Sequence, residues 1–146
     1  MNFDDEPPFA PVTCVAQVDL AELEEVLRGF GFAVLTLNGK GVRDKATLLA
    51  QAEADLPPVE GMRPGNWDAL ADYFWNGLLA LGEERVALVW TDADQILQGN
   101  LQDLLDALRV LGGVADAVRE GGGLPRPTTV LIFLLGAAPG FPSLTV

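Results

Sequence analysis

The sequence predicts an α/β fold in which a small, mostly parallel sheet of three or four strands packs against helices. Three short segments are apolar throughout, which is typical of strands that a parallel sheet buries on both faces. Segments with helical periodicity separate them, and this alternation favours βαβ units. The chain has 146 residues, 49% of them hydrophobic, and this suffices for one domain with a sizeable core.

The first part of the chain predicts a lead-in, a strand and a helix. Residues 1–11 are rich in acids and prolines, so we expect a flexible acidic segment. Val12–Val18 reads as a strand. Asp19 is then predicted to cap the following helix, with Glu22 completing a capping box. We expect that helix to end at one of the glycines before residue 32.

The next part predicts a buried strand, a helix and a loop. Phe32–Leu37 is an apolar run that ends at the turn signal Asn38-Gly39. A helix is expected from about residue 44 to residue 54, because Pro57-Pro58 cannot continue it. The loop 59–65 then leads into a second helix.

Two more apolar strands are predicted in the second half, Val86–Trp90 and Thr129–Leu135. Residues 137–146 form a Pro/Gly tail. The expected organisation is therefore one domain over residues 12–136, with a strand–helix addition at 12–31 and a core at 32–136.

A long helix is predicted between these two strands. Asn100 is a good N-cap, and the spacing of five leucines predicts the buried stripe. These are Leu101, Leu104, Leu105, Leu108 and Leu111. Gly112-Gly113 is expected to break or kink this helix, and the triplet Gly121–Gly123 to close it.

The charge and the missing residue types exclude several functions. A net charge of −12 repels phosphate backbones and anionic membranes, so we expect no direct contact with nucleic acid or membrane. A basic protein would be attracted, although acidity can also serve solubility alone. There is no histidine, one cysteine and one serine (Cys14 and Ser143), so we expect neither an enzyme nor a metal or cofactor site.

The sequence also predicts a cytoplasmic protein. The first six residues are acidic where a secretory signal needs positive charge. The longest apolar run, residues 130–138, is far shorter than the ~20 residues that span a bilayer.

The helix that begins after Asn66 has the most informative surface. At about 100° per residue, an apolar stripe should face the sheet, and an adjacent stripe should carry two carboxylates and a tryptophan. The apolar stripe consists of Trp67, Leu70, Phe74 and Leu78, and the adjacent one of Asp68, Asp72 and Trp75, with Ala71 between them.

Asp68 and Trp75 have structural interpretations as well. Asp68 suits the positive end of the helix dipole, but Asp72 lies beyond the first turn, where that effect fades. Trp75 is either exposed or wedged against a following loop. A glycosidase-like carboxylate pair is a further alternative, although no cleft that would desolvate either acid is evident.

The segment Asn66-Trp-Asp-Ala-Leu-Ala-Asp72, placed between these elements, resembles the barstar family of barnase-type ribonuclease inhibitors. The resemblance covers about residues 32–135. It implies a barstar-like α/β fold and an intracellular inhibitor or immunity protein that plugs the active-site cleft of a basic ribonuclease or nuclease toxin. Asp68 and Asp72 match the family's inhibitory acids, and Asp116 matches a third on a looser alignment.

The chain also departs from the family's pattern. Met62-Arg63-Pro64 stands where tyrosines are usual, and Ala71 stands in place of a tryptophan. A barstar-like interaction module with a non-nuclease partner therefore stays open as an alternative. In either case the protein is expected to be a monomer. The expected partner-binding residues are also the same, namely Asn66, Asp68, Ala71, Asp72, Trp75 and Asp116.

Overall fold

A computed structural model describes residues 7, 9–137 and 139–145. Within them, four strands form one all-parallel sheet in the order β1-β4-β3-β2. The strands are β1 Val12–Ala16, β2 Ala33–Asn38, β3 Arg85–Thr91 and β4 Thr129–Gly136. The helices are α1 Leu20–Gly29, α2 Lys45–Asp55, α3 Trp67–Leu81, α4 Asp94–Gly99 and α5 Leu101–Arg119. The predicted α/β class with a small parallel sheet is confirmed. No helix in these described ranges is both long and apolar enough to cross a bilayer.

The two faces of the sheet carry two separate cores. The β1-to-β2 crossover runs from one edge of the sheet to the other. The β2-to-β3 and β3-to-β4 crossovers then each move by one strand in the opposite direction. Right-handed crossovers therefore place α1 on one face and α2, α3 and α5 on the other. Helices on both faces explain why the central strands β3 and β4 are buried along nearly their whole length.

The addition before residue 32 is part of this sheet. β1 forms the outer strand beside β4, with Cys14 opposite Leu134. Burial raises the pKa of the Cys14 thiol, which disfavours the reactive thiolate. The division of the domain at residue 31 stays a prediction, and most of the predicted lead-in, residues 1–6 and 8, lies outside the described residues.

The predicted capping role of Asp19 is wrong. The chain enters α1 through a short 3-10 helix, Gln17–Asp19, so Asp19 has φ −94° and ψ 11° instead of the extended backbone of an N-cap. Its side chain makes no capping hydrogen bond. Its Oδ2 instead accepts one from the Leu144 amide at 2.9 Å, which ties the end of the chain to the start of α1.

The Pro/Gly tail packs along the carboxyl edge of the sheet. The Pro142 carbonyl accepts a hydrogen bond from the Ala16 amide at 2.8 Å. Phe141 packs against the core beneath α5, and Leu144 packs against the core beneath α1. The tail therefore crosses from one face to the other. Any side chain at Gly136 would meet the Phe141 ring, since a Cβ there would lie 2.8 Å from Cε2.

The predicted buried stripe of α5 is partly wrong. Leu101 and Leu105 are 52% and 50% exposed, while Leu104 and Leu111 are buried as expected. The buried face is completed by smaller and branched residues, namely Ala107, Val110, Val114, Ala115 and Val118. Leu101 and Leu105 lie roughly 100–140° around the helix from the centre of that face. The leucine spacing alone thus predicted the wrong centre for the buried face of α5.

α5 is also continuous through Gly112-Gly113, where a break or kink was expected. A Cβ at exposed Gly113 would meet no atom of the described residues within 4 Å. We therefore expect Gly113→Ala to stabilise the protein by about 0.5–1 kcal/mol, because alanine loses less backbone entropy in a helix. Urea denaturation measures this change.

Gly77→Ala in α3 is the matched control. There the added Cβ would lie 3.3 Å from the Pro57 carbonyl oxygen, so we expect no comparable gain. Loss of stability in Gly113→Ala would contradict an unbroken α5.

The short helix α4 has no counterpart in the sequence prediction. It occupies six residues and is separated from the end of β3 by two residues, and six residues are too few for a periodic pattern to indicate a helix. Gly99 ends it against the Arg43 backbone, where a Cβ would lie 2.8 Å from the carbonyl oxygen. The chain then turns at Asn100, whose Oδ1 accepts a hydrogen bond from the Asp103 amide at 3.0 Å and so caps α5 as predicted.

Candidate functional site

The start of α3 is fixed by its cap. Asn66 has an extended backbone, and its Oδ1 accepts a hydrogen bond from the Ala69 amide at 2.7 Å. This bond satisfies one of the amides that an α-helix leaves unpaired at its N-terminus. The first turn, which carries Asp68, is therefore held in one conformation.

Packing against the sheet fixes the rotation of α3 about its axis. Leu70, Phe74 and Leu78 are buried as the spacing predicted, and Tyr73 joins them. Trp67 lies at the edge of this stripe and is only half-buried. The Lys45 ammonium stands 5.4 Å from the centre of the Trp67 ring, close enough for a cation–π contact. The opposite side of α3 must consequently face outward.

Asp68 and Asp72 lie exposed on this outward side, and we call the pair the acidic face. They are one helical turn apart, which places their Cβ atoms about 5–6 Å from each other. Within the described residues, neither carboxylate forms a salt bridge or accepts a hydrogen bond. Some other acids are engaged internally: Asp44 accepts hydrogen bonds from Thr47, and Asp103 accepts one from the Lys45 amide. Both carboxylates of the acidic face are therefore accessible to an external ligand.

The arginine that precedes α3 does not neutralise the acidic face. Arg63 Nε lies 2.9 Å from Glu53 Oε1, so the guanidinium is directed toward α2. The sequence alone shows only that this positive charge precedes the two aspartates by a few residues.

Trp75 is wedged against the loop that follows α5. Its Nε1 donates a hydrogen bond to the Gly122 carbonyl at 2.8 Å. Its ring lies over Gly123, where a Cβ would come within 3.2 Å of Cζ2. The side chain is half-buried, as is Ala71 on the preceding turn. Of the two alternatives drawn from the sequence, the wedged arrangement is the one observed.

The contact between Trp75 and the glycine triplet was not predicted from the sequence. The triplet Gly121–Gly123 was expected to close α5. The available signal was the presence of three glycines in succession, but nothing in the sequence connects them with Trp75, which lies 47 positions away from Gly122.

Asp116 lies on α5, the helix that packs beside α3. It is exposed, and its Oδ1 lies 3.3 Å from Arg119 Nη1 one turn further on. A partner would have to compete with that arginine for the Asp116 carboxylate. Asp116 is thus the weaker candidate of the three acids.

Metal chemistry has no evident location in the part of the chain that the structure describes. No group of three or more His, Cys, Asp or Glu side chains comes together there to hold an ion. The carboxylates of the acidic face are a pair only, on the outside of a helix.

The architecture and this surface define a class: a small α/β domain that presents an exposed acidic helix. A family model described as Barstar (barnase inhibitor) matches residues 32–131, which is more than half of the chain. The chain belongs to the barstar family. The matched region runs from the start of β2 into β4, so β1 and α1 lie outside it.

The family's members are inhibitors and not enzymes, and they bind ribonucleases. No curated protein sequence matched the chain significantly.

Proposed function

We propose that this protein is an inhibitor that binds and occludes the active-site cleft of a basic, barnase-like ribonuclease or nuclease toxin through the acidic face. The observation that supports this is the pair of exposed carboxylates, Asp68 and Asp72, which have no partner among the described residues and stand on one well-packed helix. Family membership supports the same conclusion.

The chemistry of such a complex is simple. A ribonuclease cleft binds the phosphates of RNA with arginine and lysine side chains. Carboxylates on adjacent turns of a helix supply comparable negative charge, and charge-assisted hydrogen bonds to guanidinium groups are among the strongest in proteins. Because capping and core packing already hold α3 in place, little conformational entropy is lost on binding.

The remaining surface fits this role. Ala71, between the two aspartates and the core stripe, has a small side chain that lets a cleft wall approach closely. Asn66 keeps the first turn in place, and Asp116 adds negative charge from α5. The net charge of −12 would accelerate encounter with a cationic partner.

Binding and inhibition of a purified barnase-like ribonuclease test the proposal. We expect a 1:1 complex with micromolar or tighter affinity, and loss of RNA cleavage in proportion to the complex formed. The association rate should fall as ionic strength rises, since screening weakens steering. A cationic protein without nuclease activity, such as lysozyme, serves as the control. If no cationic nuclease binds more tightly than that control, the proposal is rejected.

The cellular part of the proposal is an immunity or antitoxin role for a monomeric protein in the cytoplasm. Co-expression tests it: the protein should rescue cells that produce the nuclease, and the Asp72→Ala variant should rescue them less. Light scattering after size-exclusion chromatography should give the mass of a single chain.

A non-nuclease partner is the second candidate. Two features favour it: the loop Met62–Pro64 before α3 departs from the family's pattern, and β1 and α1 lie outside the matched region. Affinity purification from the native cell, with wild-type and Asp72→Ala baits in parallel, separates the candidates. A non-nuclease protein retained by the first bait and lost with the second would favour this reading.

A further inference from the structure

The loop that follows α5, residues 120–126, has an unusual backbone, and we call it the glycine loop. Gly121, Gly122 and Gly123 have φ of +104°, +46° and +83°. These values lie in the left-handed region, where residues with a Cβ are strained. The loop turns sharply, and the Leu124 amide donates a hydrogen bond to the Gly121 carbonyl at 2.7 Å. Its shape therefore depends on glycine at three successive positions.

Trp75 fastens this loop to α3. The indole N–H binds the Gly122 carbonyl at 2.8 Å, and the six-membered part of the ring covers Gly123. Trp75 is three residues beyond Asp72, so the two side chains are neighbours on the helix surface. The fastened loop consequently lies directly beside the acidic face.

The charges of the loop suit the same kind of partner as the acidic face. Its arginine, Arg126, lies 2.6 Å from Glu84, and Arg119, the last residue of α5, lies 3.3 Å from Asp116, so acids of the chain itself engage both. Glu120 is exposed and forms no salt bridge within the described residues. The glycines, which have no side chains, leave backbone groups open to close approach.

We infer that the glycine loop forms one wall of the partner-binding surface and that Trp75 is a positioning residue that holds this wall next to Asp72. The partner that fits is a basic nuclease whose cleft rim reaches past the acidic face to the loop. The inference rests on the proposed function for the partner, but the positioning role of Trp75 is a property of the free protein.

Trp75→Phe tests the positioning role without any partner. Phenylalanine keeps an aromatic ring against the core and removes the N–H donor. Hydrogen exchange at the amides of Gly122, Gly123, Leu124 and Arg126 in the free protein should become about five- to tenfold faster, as expected when one hydrogen bond that restrains a loop is lost.

Trp67→Phe is the matched control. Trp67 is also half-buried on α3, and its indole makes no hydrogen bond within the described residues. Exchange in the glycine loop should stay unchanged in this variant. Gly123→Ala is the second test variant: it retains the indole but strains the backbone at φ +83° and pushes a Cβ toward the ring. It should accelerate loop exchange as Trp75→Phe does.

The second measurement uses a barnase-like ribonuclease as the probe. Formation of the complex should slow exchange in residues 120–126 as well as at the start of α3. Trp75→Phe should raise the dissociation rate about fivefold and leave the association rate within about twofold, because no charge is altered.

The two measurements keep the possible failures apart. Unchanged loop exchange in Trp75→Phe overturns the positioning role, whether or not a nuclease binds. A complex in which the loop stays unprotected overturns its role as a wall and leaves the proposed function intact. If the ribonuclease does not bind at all, the role of the glycine loop as a wall is rejected together with the proposed function. Loop exchange in the free protein still decides the positioning role of Trp75.

Discussion

Asp72→Ala is expected to weaken the complex with a barnase-like ribonuclease by about 2–4 kcal/mol, the range of a charged residue at the centre of an interface. This corresponds to roughly a 30- to 1000-fold rise in Kd. The loss is large because cationic groups in the partner's cleft would stay desolvated without their counter-charge. Titration calorimetry or surface plasmon resonance measures it directly.

Two variants separate local contact from overall charge. Glu25→Ala removes one negative charge from α1, on the opposite face of the sheet, and should change Kd by less than about threefold. Asp72→Asn retains the size of the side chain and should weaken binding nearly as much as Asp72→Ala. Because Asp72 is exposed and repels Asp68, neither substitution at residue 72 should lower the free energy of unfolding by more than about 0.5 kcal/mol. Equal effects of Glu25→Ala and Asp72→Ala on Kd would contradict a role for the acidic face.

Gly39→Ala is expected to lower the free energy of unfolding by about 3 kcal/mol or more, at or beyond the upper end for overpacking. A Cβ at Gly39 would overlap the Thr91 carbonyl oxygen and lie 2.7 Å from Trp90 Nε1. The backbone would have to move, and the hydrogen bond of 2.9 Å from the Gly39 amide to Thr91 would be strained. Guanidinium denaturation measures this change in the free energy of unfolding, with an unchanged m-value expected.

Gly41→Ala, in the same turn, is the comparison. Gly41 has φ +84°, and in the described part of the chain no atom lies within 4 Å of a Cβ placed there. Its substitution involves only left-handed strain, about 1–2 kcal/mol. We expect Gly39→Ala to be the more damaging of the two. The reverse order would contradict the close approach to β3 as the reason for glycine at residue 39.

Gly39 and Gly41 show what a local sequence signal can predict and what it cannot. Asn38-Gly39 correctly indicated the end of β2, yet Gly39 does not have the positive φ that such signals usually reflect. It is needed because β3 lies against it, and the pairing of β2 with β3 is not encoded in the two letters. The positive φ belongs to Gly41 instead.

The element assignments succeeded where the information is local. Asn66 and Asn100 cap helices because a side-chain oxygen reaches an amide only three residues along the chain. Asp19 looked equally suitable, but the chain takes another path there, and its carboxylate binds an amide 125 residues away. A local pattern cannot anticipate a competing partner from the other end of the chain.

The sequence by itself determined the α/β class, the apolar strands, the caps of the main helices and the spacing that puts Asp68 and Asp72 on one side of α3. These follow from backbone geometry and from side chains a few residues apart. Only the tertiary structure decided which leucines of α5 are exposed, that Arg63 is directed toward Glu53, and that Trp75 holds the glycine loop. The physical reason is that burial and hydrogen bonding depend on which segments pack together, and the segments that meet at Trp75 are far apart in the chain.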